Sequence, residues 1–210
     1  MTKNKINGHF NRFLIFYFIG LGLIVLTLAI ALPLMPDRDD YSYIETVDEY
    51  GIYHDKVDYE EYRQAEMIWG VLFCVGIGIG VIFLVIGFIF FYILHYIYWE
   101  LVQKEGVLTT PGKAIGYLFI PFYNLYWIFV SFRGLAIEIN KTLKQKNITT
   151  EKKASIGLAT AFCILMLSCM IPILNFLAYP ATQVLLIIMA VNQKKAIVQI
   201  IGDKQIKANT

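Results

Sequence analysis

The chain has 210 residues, 58% of them hydrophobic and only 16% charged, with a formal net charge of +2. A soluble domain carries about 25% charged residues, so composition excludes an ordinary water-soluble fold, and a small net charge made of opposed local charges gives no case for a nucleic-acid partner. Cys74, Cys163 and Cys169 all sit in apolar runs and His9, His54 and His95 are scattered, which excludes CxxC and Cys/His metal spacings; no metal or cofactor is expected.

Residues 1–35 begin with Lys3, Lys5 and Arg12 and continue into the charge-free run Phe13–Met35. A spanning helix needs about 20 apolar residues, and a charge at its centre costs about 2.5–3.5 kcal/mol on the insertion scale. This run therefore reads as a first transmembrane helix. Ala29-Ile30-Ala31 resembles the cleavage site of a signal peptide, but the apolar run is long for such a leader, and the helix is expected to be retained.

Residues 36–66 hold eleven acids against Arg38, Lys56 and Arg63, a local charge of −8. Asp39, Asp40, Asp48, Glu49 and Asp58 are interleaved with Tyr41, Tyr43, Tyr50 and Tyr59. No EF-hand spacing is present, so the segment reads as an acidic, solvated, extracytoplasmic cap.

Residues 67–104 contain the 33-residue run Met67–Trp99, a second transmembrane helix. At 1.5 Å per residue it reaches about 50 Å, beyond the ~30 Å hydrocarbon core. Its end is expected to project into the cytoplasmic interface, with His95, Tyr96, Tyr98 and Trp99 at headgroup level and Trp69 at the outer boundary. Gly76, Gly78 and Gly80 form a G-x-G-x-G string. A nucleotide loop would need a strand before it and an acid about 20 residues on. Gly76 and Gly80 instead form a GxxxG pair for close helix packing, against Gly20 and Gly22 of the first span or against another copy of the chain.

Residues 105–153 and 154–193 share an internal echo. Ile120-Pro121-Phe122-Tyr123-Asn124 is matched by Ile171-Pro172-Ile173-Leu174-Asn175, and the apolar stretches that follow end at Asn140-Lys141 and at Asn192 near Lys194-Lys195. Proline removes a backbone donor and pushes the preceding residue out of the helical region. Asn124 and Asn175 are expected to accept bonds from the freed N–H groups and start the next helix. Each motif thus reads as a break between two helical arms. The run Ala114–Phe132 has only 19 residues, and a single crossing there would carry the +4 segment Arg133–Lys153 to the outside, against the positive-inside rule. A broken re-entrant or interfacial helix followed by a basic cytoplasmic loop is expected for 105–153. The 38-residue run Ala154–Val191 is long enough for a transmembrane hairpin, and the basic tail 194–210 is expected in the cytoplasm with the N-terminus. Asn147-Ile148-Thr149 matches a glycosylation sequon but falls on the cytoplasmic side of this arrangement. The fold class is all-α: an integral membrane bundle of four transmembrane helices plus one broken helix.

The wording Thr110-Pro111-Gly112-Lys113-Ala114, then Phe119-Ile120-Pro121-Phe122-Tyr123-Asn124-Leu125-Tyr126-Trp127 and Gly134-Leu135-Ala136 with Asn140, resembles a segment of small multi-pass bacterial inner-membrane proteins that have no assigned activity. The likeness covers residues 104–192. It implies a bacterial inner-membrane setting and says nothing about chemistry.

No HExxH, GxSxG or Walker pattern occurs, so no catalytic residue is assigned. Three groups of residues are candidates for function. Pro121, Asn124, Pro172, Asn175 and Gln183 would line a path if the broken helices carried a solute. Gly76 and Gly80 would pack helices. Tyr117, Tyr123, Tyr126 and Trp127 would present an aromatic face to lipid or a hydrophobic partner. The basic group Lys141, Lys144, Lys146, Lys152 and Lys153 fixes topology or senses anionic lipid, at about 1 kcal/mol per charge. The expected function is a non-enzymatic accessory or scaffold protein that binds membrane lipid and other membrane proteins, or itself. A small-solute transporter or channel built on the two I-P-x-x-N units is the alternative, and an intramembrane enzyme is the third reading.

Overall fold

The structure is a computed structural model that describes residues 2–37, 43–47, 53–57, 59–104, 106–148 and 153–209. Among the described residues the regular elements are helical apart from one antiparallel hairpin. In order come α1 (Lys3–Ala31), β1 (Tyr43–Val47), β2 (Tyr53–Val57), α2 (Tyr59–Leu101), α3 (Pro111–Gly116), α4 (Tyr123–Ile128), α5 (Gly134–Gln145), α6 (Ile156–Ser168) and α7 (Pro172–Asn209). A 3₁₀ turn (Tyr117–Phe119) follows α3, and a π-turn (Phe129–Arg133) joins α4 to α5. Three helices are long and apolar enough to cross a membrane: Lys3–Ala31, Glu60–Leu101 and Pro172–Asp203. The chain divides into two compact units, residues 11–90 and residues 1–10 with 91–210.

In the first unit, α1 and α2 pack through a seam of small residues. A Cβ on Gly80 would lie 2.6 Å from Cγ1 of Ile24 and 3.1 Å from the Gly20 carbonyl, and one on Gly20 would lie 2.7 Å from the Leu84 nitrogen. Gly76 meets Thr27 and Gly87 meets Tyr17 in the same way, whereas Gly22 and Gly78 face open space. Tyr17, Gly20, Ile24 and Thr27 recur at spacings of three and four, one face of a helix. Where there is no hydrophobic drive between helices, such close backbone approach is what holds them. Trp69 adds a hydrogen bond from Nε1 to the Ala31 carbonyl at 2.8 Å. The remaining faces carry Ile15, Phe18, Val25, Val71, Leu72 and Ile79, all exposed. That much contiguous apolar surface is foreign to a water-facing protein.

The second unit is built from two helical hairpins and the end of α2. In the first, the Thr110 hydroxyl caps α3 by accepting from the Lys113 N–H, and Pro111 takes the first helical position, where its missing donor costs nothing. The chain turns at Ile120–Phe122 and returns as one helical rod from Tyr123 to Gln145. In the second, Ser155 caps α6, the chain turns at Cys169–Ile171, and α7 returns. Pro180 does not break α7. Beside it the Thr182 hydroxyl bonds the Ala178 carbonyl at 2.7 Å.

Four expectations change. Residues 133–153 are not a loop as a whole, because helix continues to Gln145. Its face of Leu135, Ala136, Ile139 and Leu143 is buried while Lys141 and Lys144 stay exposed, so an amphipathic helix accounts for charges that were read as loop. The aromatic end of α2 does not face outward as a belt would: His95, Tyr98 and Trp99 are buried against protein and, of the four, only Tyr96 is exposed. The acidic segment contains a strand pair in the register Tyr43↔Val57 to Val47↔Tyr53, and α2 begins within that segment. Its residues 38–42, 48–52 and 58, with their acids and tyrosines, lie outside the described residues. Finally, α6 has 13 residues, about 20 Å of helix.

The seam predicts a sharp contrast between neighbouring glycines. Gly80→Val should destabilise the α1–α2 pair by about 1–3 kcal/mol through overpacking, read as a lower unfolding midpoint in detergent. Gly78→Val should leave the midpoint unchanged. Equal effects of the two would remove the seam.

Candidate functional site

The chemistry-bearing residues of the second unit gather in three places. The first is the π-turn. A π-turn carries one residue too many for the regular ladder and frees a carbonyl, and such turns concentrate at functional sites. Here Trp99 Nε1 donates to the Ser131 carbonyl at 3.2 Å and Cys163 Sγ donates to the Ile128 carbonyl at 3.5 Å. The Ser131 hydroxyl lies 2.8 Å from His95 Nε2. The His95 ring packs on Phe132 with centroids 4.6 Å apart, and on Phe91. A serine hydroxyl on an imidazole nitrogen is the geometry of a nucleophile and its base. Both residues are nevertheless at most 1% exposed, no carboxylate is recorded at the other ring nitrogen, and neither residue lines a cavity described below. The pair satisfies buried polar groups around the turn.

The second place is the first hairpin's break. Trp127 Nε1 donates to the Lys113 carbonyl at 2.9 Å, which ties the returning arm to the leading one. Tyr117 and Tyr123 close on the same indole, with ring centroids 4.8 and 5.3 Å away. The predicted aromatic face is therefore in large part an internal clasp. Its outward side consists of Tyr126, with Phe119 and Phe122, the last 87% exposed.

The third place is the segment Lys153–Ser155. Asn140 Nδ2 donates to the Ala154 carbonyl at 2.7 Å while its Oδ1 accepts from the Ala154 N–H at 2.9 Å. Asn192 Oδ1 accepts from the Ser155 N–H at 2.7 Å, and its Nδ2 reaches the Lys153 carbonyl at 3.4 Å. The two asparagines that end the two echoed stretches thus hold one strand of chain between them. Beside them, on α5, Glu138 is fully buried and bonds Lys141 Nζ at 2.7 Å. A cavity of about 630 Å³ opens next to this clasp, bordered by Asn140, Lys141, Lys144, Asn147 and Lys153.

The predicted path residues differ in exposure and line none of the cavities described here. Asn124 is half-buried, Asn175 is exposed and Gln183 is half-buried. Nor do Asn124 and Asn175 cap by side chain. Their backbone N–H groups bond the carbonyl of the isoleucine in their own motif, Ile120 at 3.0 Å and Ile171 at 2.9 Å. Pro121 and Pro172 are exposed at the two turns. Gly76 and Gly80 lie against α1. Sequence reasoning missed Ser131, Trp99 and the holding role of Asn140 and Asn192. The signal for the asparagines was their matched position after each motif, while for Ser131 no local signal exists.

The chain matches no protein-family model, no curated protein and no solved structure in comparisons with known proteins.

Removing either asparagine side chain strands two backbone groups of the clasp, and a buried group left without its partner costs about 1–3 kcal/mol. Asn140→Ala and Asn192→Ala should each lower stability and speed tryptic cleavage after Lys153. Because they share one segment, the double variant should be non-additive by about 0.5–3 kcal/mol. Strict additivity would show that the two hold the chain independently. Trp99→Phe should cost a similar amount by leaving the Ser131 carbonyl without its indole donor.

Proposed function

We propose that this chain is a multi-pass accessory protein of a bacterial inner membrane that binds other membrane proteins and lipid through its outward apolar faces. It has four spans, one re-entrant hairpin and both termini in the cytoplasm. The observation that carries this reading is the level at which each hairpin's ends are held. Lys104 Nζ bonds Gln145 Oε1 at 2.6 Å, which sets the end of α2 beside the end of α5. The Ser155–Asn192 bond sets the start of α6 beside the point on α7 where its apolar run ends. A hairpin with level ends returns to the side it left, whatever depth its tip reaches. With α1 and α2 each crossing once, the number of crossings is even. The basic N-terminus, 133–153 segment and tail assign the shared side to the cytoplasm.

The leading arm of the first hairpin, Pro111–Phe119, is about 14 Å long and falls well short of the ~30 Å core. It enters and returns. The leading arm of the second, Ile156–Ser168, is about 20 Å, and with the turn beyond it approaches a thin bilayer's hydrocarbon thickness; it counts with α7 as the third and fourth spans. An accessory role is favoured over transport because Asn124, Asn175 and Gln183 border none of the cavities described above and His95 is committed to Ser131. Exposed Phe119, Phe122, Phe176 and Leu177 at the two tips offer apolar contact to lipid or to a neighbouring helix.

Two measurements test the reading. In a background without Cys74, Cys163 and Cys169, single cysteines at 106 and 147 should label from the cytoplasmic side, and one at 175 from the outside. Labelling of 147 from the outside would overturn the topology. The protein should co-purify in fixed ratio with a membrane partner, and Asn124→Leu with Asn175→Leu should leave that complex intact. Solute flux in proteoliposomes that is abolished by the same double variant would replace this proposal with the transporter.

A further inference from the structure

We infer that the cavity between α5 and the start of α6 is a binding site for the phosphate of an anionic phospholipid headgroup. The inference rests on the topology above, which puts the Lys153–Ser155 clasp at the inner face of the membrane. The cavity holds about 630 Å³, ample for a glycerophosphate headgroup. Lys141, Lys144 and Lys153 border it, with Asn147 beside them. Lys141 is already bonded to the buried Glu138 carboxylate, so its charge is largely spent. Lys144 and Lys153 are exposed and, among the described residues, in no ion pair, so they supply the positive charge. Apart from Asn140, the rest of the lining is apolar: Ile137, Leu143, Ile148 and Ile156. One wall cationic and one aliphatic suits an amphiphile, with its phosphate on the lysines and its acyl stems along the isoleucines. A small soluble phosphate compound would leave the aliphatic wall wet.

Position adds a second argument. The cavity lies where the sequence passes from Lys153 to the apolar helix Ile156–Ser168, which is where a headgroup layer meets hydrocarbon. The N-terminus of α6, capped by Ser155, forms part of the rim, and the positive end of a helix dipole favours an anion. The Asn140–Ala154 and Asn192–Ser155 bonds fix this rim without a ligand.

The test uses the full-length protein in nanodiscs of phosphatidylcholine containing a minor fraction of phosphatidylglycerol. Lipid retained after extraction is measured by native mass spectrometry. At the strength of one surface lysine per anionic lipid, two lysines give an expected enrichment of phosphatidylglycerol of roughly 10- to 30-fold. Lys144→Gln with Lys153→Gln should abolish it. Lys113→Gln with Lys195→Gln, which removes the same charge outside the cavity, should keep it. Both pairs alter exposed side chains, and an unchanged unfolding midpoint verifies the fold. No enrichment in the wild type, or equal loss in both pairs, overturns the site. Protection by 10 mM inorganic phosphate or glycerol phosphate without lipid enrichment overturns the lipid as its ligand. Cysteine labelling at 147 in the same discs separates the two failures: outside labelling sinks the topology, whereas cytoplasmic labelling with no enrichment sinks this site alone.

Discussion

The short segment Lys153–Ser155 is held by two helices at once, and the rest of the second unit depends on that grip. Asn140 reads both backbone groups of Ala154, and Asn192 takes the Ser155 N–H. The Ser155 hydroxyl is left to cap α6 by accepting from the Leu158 N–H. One tripeptide therefore fixes where α6 starts, how it stands against α5 and α7, and one wall of the lysine-lined cavity. The amide side chain suits this work because it is both donor and acceptor. An aspartate in its place would accept from the N–H and leave the carbonyl bare.

The two units solve the same problem by different means. Between α1 and α2 the solution is steric: at Gly20 and Gly80 the backbones approach so closely that a Cβ would collide, Gly76 makes room for the Thr27 side chain, and Gly87 sits tightly on the Tyr17 backbone. Around the π-turn the solution is polar. A carbonyl displaced from the helical ladder would be costly in apolar surroundings, and Trp99, Cys163 and His95 come from two other helices to meet the turn's backbone and its serine. The seam would tolerate any neighbour of the right shape. The π-turn fixes a unique partner, because only one arrangement brings the indole and the imidazole to Ser131 together.

What the sequence made legible follows from this difference. Apolar run lengths and small residues are local properties, so the long helices and the glycine pair could be read from the chain. The breaks could be placed at Pro121 and Pro172 because proline acts on its own backbone. The role of Asn124 and Asn175 could not. Phe122 adopts a positive φ of 61°, which closes the first turn by backbone bonds alone and leaves the following asparagine inside the helix. Residues 134–145 looked like loop because charge was counted by segment. The face that buries Leu135, Ala136 and Ile139 appears only when the residues are wound at 3.6 per turn. The approach of His95 to Ser131 joins residues 36 apart in sequence, and nothing near either one announces it.

The two turns also differ in what they ask of their surroundings. At the first, the Tyr123 N–H bonds the Pro121 carbonyl at 2.7 Å and the Asn124 N–H bonds that of Ile120, so the turn largely closes on itself. Such a turn can rest in hydrocarbon, where no water is present to complete it. At the second, Met170 and Ile171 bond back to Leu167 and Ser168, and Asn175 bonds to Ile171. The N–H groups of Ile173 and Leu174, in the first turn of α7, have no intrahelical acceptor, as at any helix start. Those two donors need water, and so does the exposed Asn175 amide. On the proposed topology a turn of this kind belongs at the far headgroup layer, whereas the first belongs at partial depth. On that topology the same motif would serve a full crossing in one hairpin and a partial one in the other. The difference lies in the length of the arm before the proline, nine residues from Pro111 to Phe119 against thirteen in α6.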